Sequence, residues 1–393
     1  SRGLVGSEMC IRDRYYCGLR KMSYIKQRDE VISAIHKSQI KFVIVSSGGG
    51  SEAISALLKV PGASNSVLEA HIPYARESID YYLLRKPDFY CSQDTSLRIA
   101  AKAYSAAKKI APKINHDDLF GVGITASLST KKKKRGNHRF HIALHTRKFS
   151  RFLSVNLKKG LRTRSEEEDL LSSFIVSELS KISGGHYEPQ PLTEEVSAET
   201  IYADDPWIDL VDERINFVSS SKQKPKVVFP GAFNPVHSGH RKMEKIAKDM
   251  TGSKVYFEVC IQNVDKPPMS YKHVKDTLDQ FEQSDCWVLT KAGKFPEKAE
   301  IFKGSTFVIG ADTLLRMFDE RFYASKNEMH REFEIFNEND NNFLVFGREY
   351  QGKFYTLEDI SIPEHIITRF QGLNKTQFSD SSSSSNIRKE KGE

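Results

Sequence analysis

Long apolar runs are missing from this 393-residue chain. None approaches the roughly 18 residues that a membrane-spanning helix needs, so no membrane partner is expected. Cysteine is scarce as well. The five present (Cys10, Cys17, Cys91, Cys260 and Cys286) form no CxxC pair and no regular spacing, which argues against a disulfide framework. With no apolar secretory core near the start, the expected setting is reducing and cytoplasmic, with the nucleus as the alternative. No internal repeat occurs, which sets solenoids and propellers aside. What the chain does have is excess positive charge: a formal +8 at pH 7 favours anionic partners, nucleotides and phosphates among them.

The length suits two domains. Residues 1–21, SRGLVGSEMCIRDRYYCGLRK, lack hydrophobic periodicity and read as a non-native or disordered extension. From residue 22 to 185 the pattern is helix, strand, Gly-rich turn and helix, then a long Ala-rich helix, three strands and an acidic-start helix at 165–182. Residues 186–222 lose periodicity and carry prolines and charge, so a linker is expected there, although ADDPWIDLVDERINFV (203–218) could fold onto either neighbour. Residues 223–393 alternate again. Strands at 227–229, 254–261, 286–290, 305–310 and 342–347 are separated by helical stretches, which argues for a doubly wound parallel sheet. The overall class is α/β in two domains.

The chemistry concentrates in GAFNPVHSGH, residues 231–240, between an apolar strand and a run in which Met243, Ile246, Ala247 and Met250 mark a helical face. Ligands of an open α/β sheet bind beyond the carboxyl ends of its strands, where helix N-termini offer unpaired N–H groups to anions. Gly231 and Pro235 shape a turn that lets backbone approach a ligand, and Gly239 keeps bulk away from the helix start. His237 and His240 stand three residues apart across the first helical turn, so both rings can address one bound group. Imidazole donors placed so can stabilise a phosphoryl group as its oxygens gain charge.

Taken together, GxFxPxxxGH after a strand resembles the signature of the nucleotidylyltransferase superfamily, with its Rossmann-like, cytidylyltransferase-like fold. Ser384-Ser385-Asn386-Ile387-Arg388 is similar to that superfamily's second element, ISSTxxR, and IGADTLLRMF (309–318) to a G-x-D segment of its nicotinamide or nicotinate mononucleotide adenylyltransferase branch. The resemblance implies transfer of AMP from ATP, with Mg²⁺, to a pyridine mononucleotide and release of pyrophosphate, a step of NAD biosynthesis. It implies His237, His240 and Arg388 as catalytic, and Gly231, Ala232, Phe233, Asn234, Gly239, Gly310, Asp312, Arg348, Ser384 and Ser385 as nucleotide-binding. Asp312 would hold the ATP ribose hydroxyls, while no protein metal ligands are implied. An arginine of that branch is missing from the 263–281 segment, where Thr277 and Lys275 stand nearby. The acceptor therefore stays open to alternatives such as phosphopantetheine, and the donor to CTP. A non-catalytic nucleotide-binding regulator is the rival of a different class.

The first domain resembles the CinA C-terminal type of nicotinamide-nucleotide amidase. The carriers are Ser46 with Gly49 and Gly50, a literal VPGAS at Val60–Ser64, and GVGITASLST at 121–130. The resemblance implies Ser46 as nucleophile, with Gly49 and Gly50 beside it in a pocket. It also implies a lysine at the position where this chain has Ile79, and an aliphatic side chain cannot take a proton from a hydroxyl. The expectation is a binding or scaffolding role with degenerate amidase chemistry. KKKKRGNHR (131–139) reads as a solvated loop tip, so nucleic acid is not an expected partner, and His138, His141 and His145 read as ordinary strand residues. Small-molecule nucleotides are the expected partners; the oligomeric state stays open, a homo-oligomer included.

Overall fold

A computed structural model describes residues 24–132, 134–262, 266–320, 323–350, 352–373 and 376–378. The chain divides into two units, Ser1–Tyr202 and Ala203–Glu393. The extension at 1–21 lies outside the described residues, as do Ser384, Ser385 and Arg388. No helix among the described residues is long and apolar enough to cross a membrane.

In the first unit the elements run α1 (24–37), β1 (Lys41–Ser47), α2 (Ser51–Lys59), β2 (Val67–His71), α3 (Arg76–Leu83), α4 (Gln93–Ile110), β3 (Leu119–Ser127), β4 (His138–His145), β5 (Phe149–Leu157), α5 (Arg164–Ile182) and β6 (Val196–Tyr202). The sheet order is β2-β1-β3-β4-β5-β6, parallel at β2-β1-β3 and antiparallel from β3 to β6. One face buries Ile44 and Ile124 with Ile32 of α1, Ala53 of α2 and Leu171 of α5. The other buries Val43 and Val45 with Ile79 of α3 and Ile99 of α4. Two glycines set how closely α4 lies on β3. A Cβ at Gly121 or Gly123 would strike α4 backbone atoms of Ala100, Tyr104 and Ser96.

The second unit runs α6 (Asp205–Val211), β7 (Phe217–Ser219), β8 (Val227–Pro230), α7 (Ser238–Thr251), β9 (Val255–Cys260), α8 (Tyr271–Leu278), β10 (Cys286–Thr290), α9 (Phe295–Ile301), β11 (Thr306–Gly310), α10 (Ala311–Met317), α11 (Lys326–Phe333), α12 (Ile335–Glu338), β12 (Asn342–Phe346), β13 (Arg348–Tyr350), β14 (Lys353–Tyr355) and β15 (Phe370–Leu373). Its main sheet is ordered β15-β12-β11-β8-β9-β10-β7, parallel except for β7 at one edge. A doubly wound sheet is therefore present, as the alternation implies. The chain moves from β8 to β9 and β10 on one side, then crosses to β11 and β12 on the other. That reversal lies between β8 and β11, where such sheets bind ligands. These two strands pair only at Thr306–Val227 and Phe307–Val228. Pro230 at the end of β8 has no N–H with which to extend the ladder.

The stretch 186–222, expected as a linker, carries ordered elements instead. Strand β6 pairs with β5 from Phe149–Tyr202 to Val155–Val196, while α6 and β7 belong to the second unit. Strand β6 is mostly exposed, so the sequence shows no buried alternation to mark it. Trp207 of α6 is buried and stacks on Tyr271, ring centroids 6.0 Å apart. The helical stripe of α7 also ends earlier than the spacing implies: Met243 and Ala247 are buried, whereas Met250 is exposed.

Candidate functional site

The apolar strand β8 drives into the core through Val227, Val228 and Phe229 and stops at the glycine-containing turn. Gly231 is required there, because a Cβ would meet the Phe233 ring at 2.5 Å. Phe233 is buried at φ +44°, a left-handed conformation that costs a non-glycine residue about 1–3 kcal/mol. Its ring makes edge contacts with Phe229, Phe257, Phe281 and His240, centroids 5.1–5.8 Å apart, and burial there offsets the strain. With Phe233 turned inward, Ala232 and Asn234 are exposed. The Asn234–Pro235 peptide is cis.

Helix α7 starts directly after this turn, with His237 as its N-cap and His240 in the first turn. The rings stack, centroids 3.7 Å apart and planes 25° from parallel. The His237 backbone N–H donates to His240 Nδ1 at 3.3 Å, which leaves the proton of a neutral His240 ring on Nε2. Gly239 is buried at the helix start, and no acidic residue stands in the first turn to neutralise its positive end. The two imidazoles and the helix N-terminus thus form one donor group.

On the neighbouring strand, Gly310 ends β11 and caps α10, placing Asp312 in the first helical turn. A Cβ on Gly310 would clash with Asp312 Oδ1 and would lie 3.9 Å from Arg348 Cγ, so these three residues meet at one point. Arg348 follows β12, and its Nη1 is buried with no hydrogen-bond partner among the described residues. Strands β8, β11 and β12 are parallel neighbours, so the histidine pair, Gly310–Asp312 and Arg348 all stand at the same sheet edge.

The sequence reading missed the residues that support this edge. Arg241, next to His240, is spent on Asp285 in a two-pronged ion pair (2.8 and 2.7 Å) and on Glu244, and Asp285 pushes its pKa further up. Gln280 bonds to the loop backbone on both sides of Asn234–Pro235. Beneath the turn, Glu258 and Lys298 form a buried pair at 2.7 Å, while the Glu258 carbonyl accepts the Gly231 N–H. Thr277, near the place of the missing arginine, is buried and donates its hydroxyl to the His273 carbonyl; Lys275 is exposed. Arg241, Gln280, Asp285, Glu258 and Lys298 have no local sequence signal, because a polar side chain looks alike in sequence whether it meets solvent or a partner distant in the chain.

In the first unit the expected pocket is closed by the protein's own groups. Ser46 is buried, and its hydroxyl donates to the Gly49 carbonyl. Gly50 sits at φ +92°, where a side chain would meet Ser46 Oγ at 2.8 Å. Glu168 Oε1 accepts from Gly50 N–H, the Ser51 hydroxyl and Glu52 N–H (2.8, 3.0 and 3.1 Å), filling the N-terminus of α2. Ile79 is packed with Val43 and Val45, on the face of β1 opposite Ser46. The strand histidines have ordinary partners: His138 with Glu167, His141 with Ser154 and His145 with Ser150, each at 2.7–2.8 Å.

Residues 228–390 match the family model described as cytidylyltransferase-like. No curated protein matches the chain. Among solved structures, the chain is similar to the competence/damage inducible protein CihA from Agrobacterium tumefaciens, at 16% identity and TM-score 0.30, over 41% of this chain and 92% of that one. So slight a likeness does not fix the fold of either unit, which rests on the strand orders above. The second unit carries a cytidylyltransferase-like domain, and this supports nucleotidyltransferase chemistry.

Proposed function

With residues 228–390 a cytidylyltransferase-like domain, we propose that this domain transfers AMP from ATP to nicotinamide or nicotinate mononucleotide and releases pyrophosphate. The observation that carries the reading is the stacked His237–His240 pair at an uncompensated helix N-terminus, one strand away from Asp312 at the switch point. In the reaction, a phosphate oxygen of the mononucleotide forms a bond to the α-phosphorus of ATP. The bond from that phosphorus to the β-phosphate bridging oxygen breaks, and pyrophosphate leaves. The acceptor phosphate is already anionic near neutral pH, so no base is required.

His240 Nε2–H, His237 and the first-turn N–H groups of α7 donate to the α-phosphate as its oxygens gain charge. Asp312 accepts from the ribose hydroxyls. Arg348, with a buried and unsatisfied Nη1, gains an acceptor from a ligand oxygen; leaving such a donor unmade is costly. Ser384, Ser385 and Arg388 complete the triphosphate clamp in this reading. Mg²⁺ would come to the site on the phosphate oxygens of ATP, where it would supply charge neutralisation on the leaving pyrophosphate.

The first unit serves as a binding or scaffolding module in a cytoplasmic enzyme of nucleotide metabolism. The filled α2 N-terminus and the aliphatic Ile79 favour that role over amide hydrolysis. The test is pyrophosphate release from ATP and Mg²⁺ with a panel of acceptors: both pyridine mononucleotides, phosphopantetheine and choline phosphate. Release that depends on a pyridine mononucleotide is expected. Preference for phosphopantetheine or for CTP as donor would reassign the substrates, and a flat response to every acceptor would leave a nucleotide-binding regulator.

A further inference from the structure

Resting on the nucleotidylyltransferase reading, we infer that Gln280 is the positioning residue that holds His237 and His240 in register for the transferred phosphoryl group. One carboxamide bridges the loop between β8 and α7 across Asn234–Pro235. Gln280 Nε2 donates to the Phe233 carbonyl at 3.1 Å and to the Asp276 carbonyl at 3.0 Å, while its Oε1 accepts the Val236 N–H at 2.9 Å. Both loop groups are backbone, so the clamp fixes the path of the chain immediately before His237. The neighbouring Phe281 reinforces it, stacking on Phe257 at 4.9 Å and meeting the Phe233 ring edge-on at 5.8 Å. The Asp276 contact ties the same amide to α8, so the clamp joins that helix to the catalytic loop.

A half-buried amide that satisfies a donor and an acceptor on one strained loop constrains it more tightly than packing can, because hydrogen bonds are directional. Displacement of a reacting group by about 1 Å costs on the order of 10²-fold in rate. The clamp touches neither phosphate nor ribose, so its loss belongs in kcat and not in the affinity for ATP.

Two variants and two readouts test this. Gln280→Leu keeps the volume and removes the hydrogen bonds; about a 10- to 100-fold fall in kcat is expected, with KM for ATP changed less than about threefold. Gln280→Glu keeps the acceptor for Val236 N–H but, once ionised, sets a carboxylate against the Phe233 carbonyl. Its rate relative to wild type should rise as pH falls from about 6 toward about 4, because the protonated carboxyl regains a donor. A residue with only a packing role would show no such recovery. If Gln280→Leu does not fold, the glutamate variant decides. The imidazole NMR signals of His237 and His240 supply the readout that needs no turnover: they should shift in either folded variant. Unmoved imidazole signals, a kcat within twofold of wild type, or a pH-independent ratio for Gln280→Glu would each overturn the assignment. Absence of wild-type turnover with shifted imidazole signals would instead reject the adenylyltransfer reading and leave the clamp standing.

Discussion

At the scale of single residues the site depends on groups with one geometric task each. His240 receives a backbone N–H on Nδ1 and so presents Nε2–H as a donor. Removing one preorganised donor of this kind costs about 10²–10³ in rate. His240→Ala should fall by that factor, measured as initial pyrophosphate release with ATP saturating. Gly231→Ala places a methyl against the Phe233 ring and should lower stability by about 1–3 kcal/mol, read as a lower melting temperature of the second unit. In the first unit, burial and the neighbouring Arg139 lower the pKa of His141 to about 4, and its Nε2 is buried with no hydrogen-bond partner among the described residues. The unfolded chain takes up this proton as pH falls below about 6.5, the folded ring only near 4, so stability is lost across that window. His141→Gln should flatten this acid dependence, followed by amide hydrogen exchange in β4. Unchanged protection factors from pH 6.5 to 4 in wild type would contradict it. His237 and Gly231 stand out in the sequence because their type and spacing mark a turn with paired donors, and the fold sets them together after β8. Gln280 and Asp285 do not, since the contacts that tie them to Val236 and Arg241 span more than 40 positions.

At the scale of elements, strands buried on both faces announce themselves. The runs at 227–229, 254–261, 286–290, 305–310 and 342–347 correspond to β8, β9, β10, β11 and β12 because parallel central strands are continuously apolar. Strands β6 and β7 escaped notice at sheet edges, where exposure removes that pattern and three residues suffice for pairing. What sequence could not convey is how the carboxyl ends of β8 and β9 are held. There, Lys298 of α9 meets Glu258 of β9, both nearly fully buried, with the Thr290 hydroxyl and the Ala292 carbonyl completing the set. Breaking a buried pair by removing one partner leaves an uncompensated charge, at about 3–5 kcal/mol. Lys298→Met should cost that much, while the double variant with Glu258→Leu should recover part of it. Both tryptophans, Trp207 and Trp287, lie in the second unit, so urea unfolding followed by their fluorescence reports this unit alone. Equal stability of Lys298→Met and wild type would mean that the pair contributes nothing.

At the scale of the whole molecule the two units differ in what they have kept. The second sets the histidine pair after β8, Asp312 after β11 and the buried, unsatisfied Nη1 of Arg348 after β12 at one end of its sheet. The first has turned its corresponding turn inward: Glu168 satisfies the helix terminus, and Ser46 spends its hydroxyl on Gly49. Ammonia release from nicotinamide mononucleotide should therefore stay at the level of a blank, and Ser46→Ala should not change it; release that is abolished by Ser46→Ala would restore the amidase. The two-unit division was readable from the shift in periodicity, whereas its boundary was not, because the polar stretch 186–222 is shared between both sheets. The measurement that bears most directly on the central claim is a single-turnover reaction with ATP labelled at the α-phosphate and nicotinamide mononucleotide, run with wild type and His240→Ala. The label should enter a dinucleotide, with one pyrophosphate released per label and the variant slowed about 10²–10³-fold. Label recovered as free AMP or ADP, or a variant within a few-fold of wild type, would contradict it.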